Sequence, residues 1–292
     1  MHYEGTTYRP PPESDTPLLQ VTVGCAHNQC TFCDMYRDVS FRRIQMDRIE
    51  ADLKELRSIY PKAERIFLVN GDAFVLNTNT LKKIAEKIHR IFPECRTISM
   101  YASIGNIKAK SDLDLLELKN LGINDLYVGV ESGWDKVLKR INKGHTAAEA
   151  AHQLDRLNRF GIHHIASLML GVAGTGNGLE NARLTAEFLN KTHPKLIWVC
   201  TLAIFEGTAL HAETEQGTFT PARELEILEE EKALIKRIEL QNVRFYGVHP
   251  TNSVRTSGRL PQEMQRMLDE IDFGIRKFGE KILSTTFVRR TL

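Results

Sequence analysis

Long hydrophobic runs are absent from this sequence. Its two longest apolar stretches, residues 165–173 and 196–205, are about half as long as the roughly 20 residues that a helix needs to cross a bilayer. The first fifteen residues are polar and proline-rich and have no apolar core segment, so they do not resemble a secretory signal peptide. We therefore expect neither a membrane span nor a cleaved leader, and no membrane partner.

Charge of one sign is equally scarce. The 39 lysines and arginines nearly balance the 37 aspartates and glutamates, which leaves a formal net charge of +2. This balance gives no indication of a nucleic-acid partner, and basic pairs such as Arg42-Arg43 and Arg289-Arg290 are interpreted as solvated surface. With 42% hydrophobic and 26% charged residues in 292, the composition is that of a globular enzyme, either one large domain or a barrel with an appendage.

Cysteines that could pair are also missing. Of the five cysteines, Cys95 and Cys200 are isolated, and Cys25, Cys30 and Cys33 fall within nine residues of a polar loop. Three thiols suit neither disulfides nor packing, and unpaired thiols indicate a reducing compartment, by default the cytoplasm. Thiolates at such short spacing suit zinc or an iron–sulfur cluster. A structural zinc module stays open here, because His27 lies in the same loop and could be a fourth ligand.

Buried-strand patterns alternate with amphipathic-helix patterns along the chain. Strands are predicted at residues 18–23, 65–70, 97–102, 125–130, 163–171 and 195–205. Helices are predicted at residues 46–60, 79–92, 111–121, 134–141, 146–161, 179–190, 224–238 and 261–278. Because the connections are too long for hairpins, the strands should be parallel with helical crossovers, which is an α/β fold.

The carboxyl ends of parallel strands are where reacting groups usually lie. Polar residues and glycines follow the predicted strands at these positions: Asn70-Gly71-Asp72, Tyr101, Ser103, Glu131-Ser132, residues 171–174 and Phe205-Glu206-Gly207. Such residues are common at strand ends in any α/β protein, so they indicate a site only in combination with the cysteines.

The cysteine loop resembles the radical S-adenosylmethionine (SAM) superfamily. Its usual signature is C-x3-C-x2-C with an aromatic residue before the last cysteine; here Cys25, Cys30 and Cys33 form C-x4-C-x2-C, and Phe32 is the aromatic. The resemblance implies a [4Fe-4S] cluster held by the three cysteines, with one iron left to chelate SAM and an electron transfer that yields a 5′-deoxyadenosyl radical. It also implies a partial (βα)6 TIM-like barrel, which we place in residues 18–210. The proline-rich residues 1–17 are interpreted as an extended arm, and residues 211–292, where the strand–helix pattern weakens, as an α/β extension that covers one side of the barrel.

Two further motifs resemble the branch that contains coproporphyrinogen oxidase, methylthiotransferases and Elongator-type enzymes. Gly71-Asp72 looks like the glycine-rich motif whose backbone receives the SAM amino group, and a glycine permits the inward turn of the strand-end carbonyl. Glu131-Ser132 looks like the segment whose acidic side chain binds the ribose hydroxyls. A carboxylate suits this contact because it can accept hydrogen bonds from two vicinal hydroxyls.

The same resemblance assigns the remaining contacts to SAM. Lys143, in Asn-Lys-Gly-His-Thr, stands where a basic residue of the family pairs with the SAM carboxylate. Lysine can do this as a point charge, although it lacks the bidentate geometry of arginine. Val172 would pack on the adenine, assisted by Phe32. His145 is interpreted as turn surface rather than a catalyst, and Cys200 as core rather than a hydrogen donor.

The resemblance extends over about residues 18–207 and implies a radical SAM enzyme acting on an unidentified substrate, served by an electron donor such as flavodoxin or ferredoxin. Tyr101 stands about where the coproporphyrinogen oxidase branch carries a glutamate, which argues against that reaction. Residues 249–252 are interpreted as a solvated turn. Besides the zinc module, a non-catalytic haem chaperone on the same barrel stays open as an alternative.

Overall fold

The computed structural model describes residues 1–289, which form two compact units. Unit 1 contains residues 1–28, 35–129 and 152–164, and unit 2 contains residues 29–34, 130–151 and those from 165 onward. Within residues 1–289 no helix is both long and apolar enough to span a membrane. The predicted boundaries after residues 17 and 210 stay a prediction, and residues 290–292 of the predicted extension lie outside the described residues.

Unit 1 is built on parallel strands in the order β1, β4, β5, β6, together with a small antiparallel ribbon of β2 and β3. The strands are β1 (Leu18–Gln20), β2 (Thr22–Val23), β3 (Arg42–Arg43), β4 (Arg65–Val69), β5 (Thr97–Ala102) and β6 (Ile123–Glu131), of which the last two residues belong to unit 2. Its helices are α1 (Met46–Ile59), α2 (Thr78–Ile91), α3 (Ile104–Lys108) and α4 (Asp112–Asn120). The core of β4, residues 66–69, is a continuous buried apolar run, as expected of a strand covered on both faces.

Unit 2 contains three parallel strands and one antiparallel strand. These are β7 (His163–Leu170, whose first two residues belong to unit 1), β8 (Leu196–Thr201), β9 (Val243–Tyr246) and the antiparallel β10 (Ser257–Leu260). Its helices are α5 (Asp135–Arg140), α7 (Gly178–Thr192), α8 (Ala209–Glu215), α9 (Glu224–Arg237), α10 (Met264–Phe278) and α11 (Glu280–Leu283), whereas α6 (Ala147–Arg159) begins in unit 2 and ends in unit 1. Helix α9 packs along α7.

All six predicted strands are present, and the mostly parallel α/β arrangement is confirmed. The first predicted strand is divided: β1 pairs with β4, and Thr22–Val23 pairs instead with Arg42–Arg43. The short helices α3, α8 and α11 were not predicted, because elements of four to seven residues carry too little periodicity.

The N-terminal arm is anchored by a buried charge cluster in unit 1. Glu13, which is 1% exposed, accepts hydrogen bonds from the guanidinium of Arg65 at the start of β4, with Nε 2.9 Å from Oε2. Arg65 also contacts Asp125, with Nη1 2.5 Å from Oδ2. The buried Glu13 carboxylate therefore anchors the N-terminal arm to unit 1.

Two parts of the extension that were interpreted as solvated, Arg289 and the turn at residues 249–252, are not solvated. Arg289 is not solvated, because the buried Glu224 carboxylate requires a cation and lies 2.8 Å from Nη2 of Arg289. Arg42 and Arg43 are exposed as predicted, and Arg290 lies outside the described residues.

The predicted solvated turn at residues 249–252 is largely buried, since His249, Thr251 and Asn252 are each less than a tenth exposed. The Asn252 amide donates to the backbone oxygens of Val199 (3.1 Å) and Gly247 (2.8 Å). The backbone N–H of Thr201, at the end of β8, donates to Thr251 Oγ1 (3.1 Å). The turn is buried because its side chains satisfy the backbone at the carboxyl end of β8.

Candidate functional site

The second half of the cysteine loop, Gln29–Asp34, is fixed to the turn that follows α5. The N–H of Thr31 donates to Ile141 O (3.1 Å), and the side chain of Asn142 donates to Gln29 O (3.0 Å). Thr31 O in turn accepts from the N–H of Leu210 (2.9 Å). The second half of the loop is therefore held by hydrogen bonds to the backbone on both sides.

Cys30 and Cys33 lie on one tight turn, closed by a hydrogen bond from Cys33 N–H to Cys30 O (3.2 Å). Burial raises the pKa of the Cys30 thiol, and the nearby Lys143 ammonium opposes that rise. A metal-binding thiol must lose its proton, so a fixed cation beside it favours the form that binds.

A buried ion pair lies next to this turn. Lys143 follows Asn142, whose φ is +52°, and precedes Gly144 at φ +78°, so the chain turns sharply and carries the ammonium inward. Its Nζ donates to Glu131 Oε1 (2.8 Å), and the two side chains are only 14% and 9% exposed. Burial opposes the charge of Lys143, but the Glu131 carboxylate and the Cys30 thiol raise its pKa above the ordinary value, so it is an ammonium at neutral pH.

The segment at the end of β6 is strained and tightly packed. Glu131 has a φ of +65°, a left-handed conformation that costs a non-glycine residue about 1–2 kcal/mol. Two residues on, Gly133 lies against α7 so closely that a Cβ would be 2.6 Å from Leu184 O. Only glycine permits this approach, and the segment is thereby pressed onto α7 with the Glu131 carboxylate directed toward Lys143.

Ser132 is fully buried, and its hydroxyl group is engaged by the protein. Its Oγ donates to Asn181 Oδ1 (2.5 Å) and accepts from the N–H of Trp134 (3.0 Å). A direct contact between this hydroxyl and SAM stays a prediction. The sequence did not single out Asn181, which lies on α7 some fifty residues away and carries no motif.

Val172 and Phe32 belong to one apolar cluster, as their shared assignment to the adenine requires. Val172 is fully buried, and Phe32 is partly buried against it. The other buried members are Val137, Ile141, Met169, Leu202, Leu210 and Phe219, and Trp134, Ala173, Cys200 and Ile204 pack around them. Cys200 therefore lies in core surroundings, and burial raises the pKa of its thiol to about 12.

In unit 1, the turn after β4 is fitted to Tyr36, three residues beyond the last cysteine. Gly71 N–H donates to Tyr36 Oη (3.1 Å), and a Cβ on Gly71 would be 2.4 Å from the Tyr36 ring. Asn28, within the cysteine loop, donates to Tyr36 O (2.8 Å), and the buried Asp72 accepts from Asn106. Tyr36 and Asn106 were not recognised from the sequence, although the position of Tyr36 directly after the cysteines is a signal.

The structure thus gathers Cys30, Cys33, Glu131 and Lys143 in unit 2, whereas Cys25 and Gly71-Asp72 belong to unit 1. Across residues 1–289, no three histidine, cysteine or acidic side chains are arranged to hold a metal ion, so coordination by all three cysteines stays a prediction. The gathered residues fit a cluster and SAM: two thiols lie on one turn, a nearby ammonium can pair with a carboxylate, and the Glu131 carboxylate can accept from hydroxyls.

Comparison with known proteins gives a consistent result. The model of the radical SAM superfamily matches residues 19–189. The heme chaperone HemW of Bacillus subtilis (strain 168) is 27% identical over 192 residues, which are 65% of this chain and 48% of that protein. The chain thus spans about half the length of the curated relative that it matches.

Two solved structures resemble the chain at low sequence identity. Coproporphyrinogen III oxidase (HemN) from Escherichia coli, described as a radical SAM enzyme, has a TM-score of 0.58 at 17% identity and covers 77% of this chain and 53% of its own. The archaeal Methanocaldococcus infernus Elp3 has a TM-score of 0.57 at 15% identity, and the match covers 92% of this chain and 64% of Elp3. These likenesses show the fold, and the predicted partial (βα)6 TIM-like barrel is confirmed.

Proposed function

The chain belongs to the radical SAM superfamily, and from this premise we propose that it is an enzyme that uses a [4Fe-4S] cluster and SAM to act on an unidentified substrate. Members of the superfamily bind these two groups. The chemistry that they supply when bound is reductive cleavage of the sulfonium to a 5′-deoxyadenosyl radical. The observation that carries the proposal is the buried Lys143–Glu131 pair beside Cys30 and Cys33.

A structural role alone accounts poorly for this pair. A buried ion pair contributes little net stability, because desolvation of both charges offsets their attraction. Here the carboxylate is also carried on a residue with a left-handed backbone, which adds strain. Strain and buried charge in one place, next to thiols, are typical of a ligand-binding site.

Each side chain would have a distinct task toward the bound groups. Cys25, Cys30 and Cys33 would hold the cluster. Lys143 would exchange part of its contact with Glu131 for the SAM carboxylate, and Glu131 would accept hydrogen bonds from the ribose hydroxyls.

The remaining residues would orient the ligand and exclude water. The backbone at Gly71-Asp72 would receive the SAM amino group, and Ser132 would keep the end of β6 in place. Val172 and Phe32 would offer an apolar surface to the adenine and exclude water from it.

The test is anaerobic reconstitution followed by reduction. We expect about four irons and four sulfides per chain, and release of 5′-deoxyadenosine from SAM under dithionite, measured by chromatography. The variant Cys30→Ala should lose both, whereas Cys95→Ala, which changes a thiol elsewhere in the chain, should keep both. A reconstituted wild-type protein that binds SAM without releasing 5′-deoxyadenosine would contradict catalysis.

A haem chaperone is the second candidate, because a curated relative that is 27% identical over 192 residues carries that name. Haem retained by the purified protein, with no cleavage of SAM, would favour it. About one zinc and no sulfide per chain would instead indicate the zinc module. We further propose that an electron donor such as flavodoxin or ferredoxin serves the enzyme in the reducing environment of the cytoplasm.

A further inference from the structure

A buried hydrogen-bonded bridge joins the two strand ends of unit 2 that are assigned to the nucleoside. The first is the ribose segment, Glu131-Ser132, and the second is the adenine segment, residues 171–174. Gly171 N–H donates to Glu230 Oε2 (2.8 Å), and Asn181 Nδ2 donates to Glu230 Oε1 (2.7 Å). Asn181 Oδ1 accepts the hydroxyl of Ser132 (2.5 Å). The bridge therefore passes from β6 through α7 and α9 to the end of β7.

The direction of every bond in this bridge is fixed. A carboxylate has no proton to donate, so the Asn181 amide presents its NH2 group to Glu230 and its oxygen to Ser132. The Ser132 hydroxyl therefore donates to Asn181 while it accepts from Trp134 N–H. Each carboxylate oxygen of Glu230 then receives one donor. Ser132, Asn181 and Glu230 are 0%, 3% and 1% exposed, so water does not replace any of these partners.

Helix α9 makes further contacts with the same region. Glu226 Oε1 accepts from Gly176 N–H (2.7 Å), and Glu226 Oε2 accepts from the Thr175 hydroxyl (2.7 Å). Ile227 lies against Gly171, where an added Cβ would be 3.3 Å from its side chain. Three side chains of α9 thus meet the chain just after β7, although α9 lies in the C-terminal extension.

A carboxylate is a costly choice for packing two helices together. Burial raises the pKa of Glu230 to about 7, which shows how strongly the site resists its charge, and an apolar side chain would hold α7 against α9 more cheaply. A carboxylate does, however, offer two acceptor oxygens in one rigid plane. Here one oxygen accepts from Gly171 N–H in the adenine segment, and the other accepts from Asn181, which contacts Ser132 in the ribose segment.

We propose that Glu230 and Asn181 are positioning residues that hold the ribose and adenine segments at one fixed spacing, so that SAM binding depends on helix α9 of the extension. The inference rests on the proposed function and deepens it. If the bridge is weakened, the two segments move independently, and the nucleoside must order them at the expense of its affinity.

The test is a reciprocal exchange of the carboxylate and the amide. Glu230→Gln places an NH2 group against the NH2 of Asn181, and Asn181→Asp places a carboxylate against Glu230. In the double variant Glu230→Gln/Asn181→Asp, the glutamine accepts from Gly171 and donates to the new aspartate, which still accepts from Ser132. Shape and total charge are those of the wild type, and every donor has an acceptor.

Two quantities would be measured: the dissociation constant for SAM on reconstituted protein, and hydrogen–deuterium exchange of the two segments without ligand. Each single variant should bind SAM about tenfold more weakly and exchange faster in both segments, and the double variant should return within about threefold of wild type. Glu229→Gln, on the exposed side of α9, is the matched control and should change neither quantity.

Single variants that bind SAM and exchange as wild type does, or a double variant no better than the worse single one, would overturn the proposal. If a single variant fails to fold, the double variant decides, because reciprocal rescue requires folded protein of near wild-type affinity. Wild-type protein that carries its cluster but binds no SAM would instead overturn the proposed function, while rescued exchange in the double variant would still support the bridge.

Discussion

At the scale of single residues, Lys143 is the side chain to which the proposed function gives the most direct role after the cysteines. It is the cation that the Glu131 carboxylate contacts, and it lies close enough to Cys30 and Cys33 to influence both. Its motif is local, so the sequence alone was enough to single it out, and its role toward SAM stays a prediction. Asn181 and Glu230 could not be predicted in this way, because their partners lie about fifty or more residues away and neither residue belongs to a motif.

We predict that Lys143→Gln weakens SAM binding by at least tenfold while iron and sulfide per chain stay at wild-type values. The change removes the expected partner of the SAM carboxylate and leaves Glu131 buried without its cation, but it removes no cluster ligand. The control is Lys139→Gln, which changes an exposed lysine on the preceding helix α5. Unchanged SAM affinity in Lys143→Gln, measured by ultrafiltration, would argue against this role.

Glu231 gives a pH-dependent prediction at the same scale. It is 1% exposed, its Oε1 has no hydrogen-bond partner within the described part of the chain, and burial raises its pKa from 4.5 to about 8. The folded protein therefore keeps this proton at pH values where the unfolded chain has lost it. Stability from this group is complete below pH 4.5 and is lost as the pH rises to about 8.

We expect Glu231→Gln to melt near the wild-type temperature at pH 5 and several degrees higher at pH 8.5, because glutamine has no proton to lose. Thermal unfolding monitored by circular dichroism at both pH values would show this. Glu229→Gln, next to it on α9 with a side chain that is 44% exposed, should shift the melting temperature little at either pH. An equal shift at pH 5 and pH 8.5 would mean that ionisation of Glu231 is not the cause.

At the scale of elements, local signals were predicted well and long-range pairings were not. The capping box of α4 is present as Ser111 and Asp114 predict, because both partners lie within four residues. The parallel pairing of β9 with β8 and the addition of β10 were not predicted, because they depend on residues far apart in the chain. Ribbon β2–β3 has two residues per strand, too few for any period.

The contribution of the N-terminal arm to stability could not be predicted from the sequence, because a polar, proline-rich stretch has no helix or strand periodicity. We predict that Glu13→Gln lowers the free energy of unfolding by about 2 kcal/mol, because the ion pair of Arg65 with Asp125 remains but a neutral amide replaces the carboxylate in a buried charge cluster. The partly exposed guanidinium keeps the loss below that of a fully buried pair.

The measurement is the denaturant midpoint at constant slope. Glu64→Gln changes an exposed carboxylate next to Arg65 in sequence and should leave the midpoint within error of wild type. A midpoint for Glu13→Gln that matches wild type would mean that the arm is not held by this charge cluster.

At the scale of the whole molecule, residues beyond the part that the superfamily model matches make buried contacts with that part. The family match ends at residue 189, yet Glu226, Ile227 and Glu230 on α9 contact the chain just after β7. Strand β9 also pairs with β8, and residues 251 and 252 satisfy the backbone at the end of β8. A boundary near residue 210 would therefore divide hydrogen-bonded pairs that unit 2 keeps buried.

This arrangement predicts that a chain ending at residue 210 will not be an independent core. Removal of α9 leaves the N–H of Gly171 without its acceptor and the buried Asn181 without Glu230, and it exposes the face of α7 that α9 covers. Exposed apolar surface and unpaired buried groups together exceed the marginal stability of a domain of this size. We expect the truncated chain to be aggregated or to lack a cooperative thermal transition, whereas a chain shortened only after residue 289 should melt as the full chain does. Cooperative unfolding of residues 1–210, with SAM affinity near that of the full chain, would instead show that the core folds and binds without its extension.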